Sequence, residues 1–194
     1  MLRYAKEEER NKIYEIWKDI FSFDDQGYTD YFFQHQFNPN DTVIKEVEDK
    51  IVSIGSRTSH TYRLKNRLIK ASMIYGIATL EQERGKGYMH EILTTMLDHL
   101  SHQELITFIQ AYDPKKYEKY GFVMAYYKKE FTLTSSNVEK VSTNGCTKEI
   151  HPVDLLRAYG RFCSLFDGYQ VRDEAYFENY INEVRAQNGD IVAC

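Results

Sequence analysis

The sequence predicts an α/β protein with a mixed sheet (an α+β arrangement of strands), antiparallel in its first part and parallel in its second. Two hairpin patterns, over residues 42–56 and 60–80, alternate apolar and polar side chains around short polar turns. Residues 73–111 then indicate a strand, a glycine loop, a helix and another strand. A helix that crosses between two strands makes them parallel, so we expect a single mixed sheet covered by helices.

Composition places the chain among globular proteins and limits its partners. Its 194 residues suffice for one domain of about 130 to 150 residues and part of another. Hydrophobic residues make up 42% and the net charge is −4. Without a basic stripe, nucleic acid is not an expected partner. The three cysteines show no paired spacing, which predicts reduced thiols. With no signal segment and no run of about 20 apolar residues, we expect a cytoplasmic protein without a membrane partner.

The first part of the chain is predicted to form a strand and two helices. Residues 2–5 indicate a short strand, and residues 6–21 an amphipathic helix with Ile13, Ile16 and Trp17 on one face. The polar segment 22–27 breaks this helix. Residues 28–37 indicate a second, aromatic-rich helix that ends before Pro39.

The glycine loop after the strand at residues 73–80 is the strongest functional signal. Gly85 and Gly87 stand directly before a helix whose apolar residues recur every three or four positions from Met89. Such a loop presents unpaired backbone N–H groups at the positive end of the helix dipole, and Arg84 and Lys86 add positive charge. The pattern predicts an anion site, although a basic turn joining strand to helix fits the spacing as well. Neither the Walker spacing nor the dinucleotide spacing is present.

At this loop the chain resembles the GNAT superfamily of acyl-CoA-dependent N-acetyltransferases, whose motif is Arg/Gln-x-x-Gly-x-Gly/Ala. The residues from Arg84 to Met89 fit this motif in the frame that keeps the helix in register. A frame that begins at Gln82 matches more literally but places the loop earlier. Met89, where Gly or Ala is usual, is similar to the Eis (enhanced intracellular survival) branch.

The resemblance implies acetyl-CoA as co-substrate and a set of residues that bind it. Its pantetheine arm would lie between two splayed strands against the backbone of Ile77 and Thr79. Its pyrophosphate would be held by the loop and the first helical residues, namely Arg84, Gly85, Lys86, Gly87, Tyr88 and Met89.

A second segment strengthens the resemblance. Residues 108–122 contain Asp-x-x-x-Tyr-x-x-x-Gly-Phe, which is similar to the stretch after the next strand in GNAT enzymes. The resemblance implies that Tyr117 donates a proton to the leaving thiolate, with Tyr120 as its rival. Asp24 and Asp25 would face a cationic amine in the acceptor site, although either alone is more typical of a solvated loop or a helix cap.

The general base stays open among Asp24, Asp25, His35 and a water molecule. No metal-ligand pattern is present in the sequence, so we expect no metal.

The end of the chain is predicted to begin a second unit. After a last strand at residues 126–133, which closes a first domain over residues 1–133, residues 134–148 have the composition of a linker. Residues 149–194 then indicate two helices, at 152–166 and 172–187, and the start of a strand at 190–194. They resemble the beginning of the second, GNAT-like domain of Eis-type proteins. We therefore expect either a fragment or a shortened gene product.

The resemblance implies an N-acetyltransferase that moves the acetyl group of acetyl-CoA to a primary amine by direct attack on the thioester. The acceptor would be an aminoglycoside, a polyamine or a lysine-like amine. An alternative hypothesis is a non-catalytic acyl-CoA-binding or oligomerisation fragment. Apolar surface left uncovered by an interrupted second domain would favour self-association into a homo-oligomer.

Overall fold

A six-stranded mixed sheet is the centre of the structure, a computed structural model that describes residues 1–21, 27–127, 130–134, 136, 142 and 144–193. Five strands are neighbours in chain order: β1 (Leu2–Tyr4), β2 (Thr42–Val47), β3 (Lys50–Leu64), β4 (Arg67–Thr79) and β5 (Ile106–Ile109). β6 (Tyr169–Gln170) pairs with the far end of β3. β4 and β5 are parallel and the other pairs are antiparallel. The predicted mixed sheet is confirmed.

The helices lie where the periodicity of the sequence indicates, with ends that differ by a few residues. They are α1 (Arg10–Ile20), α2 (Tyr28–His35), α3 (Tyr88–Ser101), α4 (Lys115–Glu118), α5 (Pro152–Cys163) and α6 (Glu174–Ala186). None of these described helices has the length and apolar character that crossing a bilayer requires.

Two hydrophobic cores fix α1, α2 and α3 to the sheet. On one face, Ile13, Ile16 and Trp17 of α1 pack with aromatic residues of α2 and with Ile54 of β3. On the other face, side chains of α3 spaced three or four residues apart pack against β2 and β4: Ile92, Leu93, Met96 and Leu100. The chain thus forms three layers, which places the start of α3 at one edge of the sheet.

Two strand predictions need correction. The two hairpin patterns, predicted over residues 42–56 and 60–80, are not separate, because β3 runs from Lys50 to Leu64 and pairs with β4 from Ser53 onward. The predicted closing strand at residues 126–133 is wrong for its described residues, which form no strand. Tyr127 and Phe131 are exposed there. Alternation of apolar residues makes a strand only where a neighbouring strand and a covering layer exist.

The C-terminal segment contacts the first part of the chain in a way that the sequence did not indicate. β6 joins the sheet through the pairing of Gln170 with Tyr62, and the side chain of Tyr31 on α2 donates a hydrogen bond to Asn179 on α6. The expected strand at 190–194 is, within the described residues, an isolated bridge between Ala193 and Thr147. Most of the predicted linker residues 135–143 lie outside the described residues.

The thiol prediction is only partly right. Cys163 is free and buried, but Cys146 is disulfide-bonded. Whether cysteines pair depends on which segments meet in space. Thr147, next to Cys146, forms a β-bridge with Ala193, so segments far apart in the sequence meet there.

Candidate functional site

The glycine loop forms the open N-terminus of α3. Gly85 and Gly87 have φ angles of +79° and +85°, in the region that favours glycine. Gly87 is the N-cap residue, and no side chain caps the helix. The first helical bond runs from the Glu91 amide to the Gly87 carbonyl, so the amides from Tyr88 to His90 have no partner within the helix. These donors and the helix dipole suit an anion.

The two cations of the loop already have local partners. The Arg84 Nε donates to the Thr79 carbonyl at 3.3 Å, which ties the loop to the end of β4. The Lys86 ammonium lies 2.8 Å from the Glu83 carboxylate. This contact raises the pKa of Lys86. An arriving phosphate would therefore compete with Glu83 for Lys86.

Next to the loop, β4 and β5 separate. Their parallel pairing begins at Ala71 with Ile106 and ends at Ile74 with Ile109, whereas β4 continues to Thr79. The backbone changes course at the same place, because Gly76 has a φ of +60°. Among the described residues, 75–79 of β4 therefore have no strand paired with them on the side of β5.

The alternation of the backbone directs the Thr79 amide toward this unpaired side of β4. The Leu80 amide donates to the Val52 carbonyl of β3 at 3.0 Å. Successive residues of a strand present their backbone groups to opposite sides. Ala78, which pairs with Ile54, therefore faces β3 as Leu80 does, and Thr79 faces the side that β5 has left. The register shifts opposite Ile77, so the direction of its backbone groups stays a prediction.

A basic cleft, which we call the lysine cleft, adjoins the start of α3. Its volume is about 290 Å³, and it is lined by Met89, Lys115, Lys116, Lys119 and Tyr120. The three lysines lie on α4 and directly after it, and they bring positive charge toward the helix N-terminus. No role was predicted for these lysines from the sequence. Their spacing could have indicated the cleft. Lys119 follows Lys115 by four residues and Lys116 by three, which places all three on one helix face.

Tyr117 and Tyr120 have different surroundings. Tyr117 packs against the hydrophobic core on the α3 side of the sheet, which we call the α3-side core. Its ring lies edge-on to the Phe122 ring, with 6.3 Å between the ring centroids. Burial raises the pKa of its hydroxyl, so Tyr117 is protonated at neutral pH. The Tyr120 hydroxyl lies 3.1 Å from Nδ1 of His90, at the first turn of α3.

The structure does not bring the other predicted site residues together. Asp24 and Asp25 lie outside the described residues. His35 is exposed, and its ring lies 4.6 Å from the ring of Tyr31. Among the residues that the structure describes, no group of three or more His, Cys, Asp or Glu side chains could hold a metal.

A strand that parts from its parallel neighbour and leads through a glycine loop into a helix is the architecture that the family resemblance implied. The sequence pattern of the family described as "Acetyltransferase (GNAT) domain" matches residues 1–125. The chain belongs to the GNAT family. No curated protein sequence matches this GNAT chain.

Solved structures share the fold at low sequence identity. Eis1 from Mycobacterium abscessus superposes with a TM-score of 0.67 and 11% identity, covering 100% of this GNAT chain and 51% of Eis1. A GNAT family acetyltransferase from Brucella melitensis, in complex with acetyl-CoA, superposes with a TM-score of 0.52 and 10% identity. The match covers 64% of this chain and 82% of the Brucella protein. A probable N-acyltransferase from Enterococcus faecalis superposes with a TM-score of 0.54 and 16% identity. The match covers 62% of this chain and 31% of the Enterococcus protein. The GNAT chain thus spans about half of Eis1 and less of the Enterococcus protein.

Proposed function

We propose that this GNAT chain transfers the acetyl group of acetyl-CoA to a primary amine. The observation that carries the proposal is the continuity of two features along one stretch of chain. The open edge of β4 at Ile77 and Thr79 leads within a few residues to the uncapped N-terminus of α3 at Gly87. A long ligand with an anionic middle and an amide-rich arm fits such a path.

Each part of acetyl-CoA has a complementary part of this path. The amides of the loop and of the first turn of α3 would donate hydrogen bonds to the pyrophosphate, with Arg84 and Lys86 beside them. The amides and carbonyls of Ile77 and Thr79 pair with the pantetheine arm in place of β5. The lysine cleft suits the 3′-phosphate of the ribose.

The chemistry needs few protein groups once acetyl-CoA is held. The neutral amine attacks the thioester carbon, a C–N bond forms, and the C–S bond breaks. Tyr117 gives its proton to the departing sulfur, and the amine loses a proton to a base or to water. The raised pKa of Tyr117 keeps that proton available.

We propose further that the chain is Eis-like and that its acceptor is a cationic amine such as an aminoglycoside, a polyamine or a lysine side chain. The superposition of the whole chain on half of Eis1 supports this branch. Asp24 and Asp25 are the proposed acceptor contacts. Residues 1–133 would be the acetyltransferase domain and residues 149–194 the beginning of a second GNAT-like domain.

Calorimetry with acetyl-CoA, followed by thiol release with a panel of amines, tests the proposal. Gly87→Glu places a carboxylate at the anion site and should abolish binding. Gly145→Glu is the matched control, because Gly145 also has a positive φ and open surroundings. Equal effects of the two substitutions would refute the anion site. Binding without thiol release for any amine would favour the non-catalytic acyl-CoA-binding alternative.

A further inference from the structure

Two tyrosine side chains lie beside the unpaired part of β4, on the face of the sheet opposite α3. Tyr75 is the first residue of β4 beyond Ile74, where the pairing with β5 ends. Its ring packs with the hydrophobic core of α1 and α2, edge-on to the Phe32 ring with 5.7 Å between the centroids. Tyr28, the first residue of α2, is stacked with the same Phe32 ring at 6.1 Å. Both phenols therefore belong to one aromatic cluster next to the edge that β5 has left.

The hydroxyl groups of Tyr28 and Tyr75 have no hydrogen-bond partner among the described residues. Two other tyrosines of this region do have one, since Tyr14 donates to Asp30 and Tyr31 to Asn179. Tyr28 and Tyr75 are half-buried, and neither oxygen is among the buried polar atoms without a partner, so both oxygens reach the surface. Tyrosine hydroxyls in apolar surroundings usually have a polar partner, so two accessible, unpaired oxygens in one cluster suit a ligand.

The charge and protonation of this cluster favour a ligand that donates hydrogen bonds. Burial raises the pKa of both phenols, and the Glu183 carboxylate of α6 adds to the rise for Tyr28. Both phenols are therefore neutral at pH 7, and each oxygen can accept a hydrogen bond. Glu183 accepts a hydrogen bond from Gln36 at 2.9 Å, but it has no ion-pair partner among the described residues. Oxygen acceptors beside such a carboxylate attract a cation that carries N–H groups.

We propose that the hydroxyl oxygens of Tyr28 and Tyr75 accept hydrogen bonds from the N–H groups of the acceptor amine, and that Glu183 attracts a second ammonium group of the same molecule. The acceptor is then an amine with at least two cationic groups.

The positions of the two substrates support this assignment. The anion site lies at the start of α3, on one face of the sheet, and the two phenols lie on the other face. Acetyl-CoA on the unpaired edge of β4 leaves the face with the phenols to the amine. Two fixed acceptors hold the N–H groups and leave the nitrogen lone pair for the thioester, and the phenols keep their protons throughout. This inference rests on the proposed function, because it requires acetyl-CoA at this edge.

Tyr28→Phe and Tyr75→Phe remove the hydroxyl groups and keep the rings. In the thiol-release assay, with spermidine and neomycin as polycationic acceptors, each variant should raise the KM of the amine about two- to tenfold, the range for one neutral hydrogen bond. The affinity for acetyl-CoA and the Tm should change little. Tyr31→Phe is the matched control, because Tyr31 lies on the same helix and its hydroxyl already bonds to Asn179.

The failure of this proposal differs from the failure of the proposed function. Thiol release by the wild type with an unchanged KM in both variants would mean that the hydroxyls bind only water, and an equal rise in Tyr31→Phe would mean that packing is responsible. Either result overturns the role of Tyr28 and Tyr75 and leaves the acetyltransferase standing. No thiol release with any amine of the panel would overturn both.

Glu183→Gln tests the class of acceptor, because it removes the charge and leaves an amide oxygen for Gln36. The KM of spermidine should rise about two- to fivefold at low salt, as for the loss of an exposed ion pair, and the KM of the singly charged hexylamine should stay the same. Glu178→Gln removes the same charge from an exposed position on α6 and is the control. Equal changes in the two variants, or thiol release with hexylamine alone, would overturn the role of Glu183.

Discussion

The hydroxyl of Tyr120 lies 3.1 Å from Nδ1 of His90, and this contact distinguishes the surroundings of Tyr120 from those of Tyr117. Tyr120 contacts His90 in the first turn of α3 and lines the lysine cleft. Tyr117, half-buried against the α3-side core, has a raised pKa and remains free for the proton transfer that the proposed reaction needs.

Tyr117→Phe should lower kcat by about 100-fold, because general acid catalysis by one group contributes at least that much. The affinity for acetyl-CoA should change little, since the phenyl ring keeps the packing against Phe122. Thiol release and calorimetry measure the two quantities. Tyr120→Phe should show the reverse pattern, with weaker acetyl-CoA binding and a similar kcat. A larger loss of kcat in Tyr120→Phe would transfer the acid role to Tyr120.

Glu83→Gln should tighten acetyl-CoA binding about two- to fivefold at low salt, the range expected for release of an exposed ion pair. The Glu83 carboxylate holds the Lys86 ammonium at 2.8 Å, and the substitution frees Lys86 for the pyrophosphate. Titration calorimetry at two salt concentrations measures the gain and its screening. Glu81→Gln is the control, because Glu81 stands in the same short turn and removes the same charge. Equal gains would mean that only net charge matters.

Local signals gave the correct prediction where a short stretch determines its own structure. The periodicity from Met89 predicted α3, and the glycines predicted the turn before it, because helix and turn depend on neighbouring residues. The end of β4–β5 pairing after Ile74 depends on contacts between distant segments. The close approach of the Trp17 ring to Gly76 also depends on contacts between distant segments, since these residues are far apart in the sequence. The sequence therefore predicted the glycine loop and the helix after it, but not the contact between Trp17 and Gly76.

Gly76→Ala should destabilise the protein by about 2–5 kcal/mol, from left-handed strain and overpacking together. The new methyl group would stand 2.3 Å from the Trp17 ring, at a φ of +60°. Thermal unfolding should show a Tm lower by about 2–4 °C for each kcal/mol. Gly85→Ala has the same strain but no atom within 4 Å, so its loss should stay near about 1–2 kcal/mol. Equal losses would mean that Trp17 moves aside without cost.

The free energy of unfolding should fall at acid pH as the Glu9 carboxylate becomes protonated. Both carboxylate oxygens of Glu9 accept hydrogen bonds from the Arg3 guanidinium, at 2.8 and 2.7 Å. Arg3 lowers the pKa of Glu9 from 4.5 to about 2. Because the folded pKa is the lower one, this contribution is present above pH 4.5 and is lost as the pH falls toward about 2.

Glu9→Gln should therefore lower the free energy of unfolding by about 2–3 kcal/mol at pH 7. The gap between wild type and variant should shrink as the pH falls from about 5 to about 3. Urea unfolding at several pH values measures it. Glu8→Gln, at an exposed neighbour, should leave the free energy nearly unchanged. A gap that is constant across this pH range would show that packing, and not the charge of Glu9, is responsible.

The lysine cleft should distinguish coenzyme A from its analogue without the 3′-phosphate. Lys119→Gln removes one of three ammonium groups from the cleft and should weaken coenzyme A binding about two- to fivefold, as expected for the loss of an exposed ion pair. Dephospho-coenzyme A should bind wild type and variant with nearly equal affinity, because it lacks the group that the lysines contact. Lys12→Gln, at an exposed position on α1, controls for the change in net charge. If Lys119→Gln weakens both ligands equally, the lysines act on the pyrophosphate instead, and the ribose phosphate lies outside the cleft.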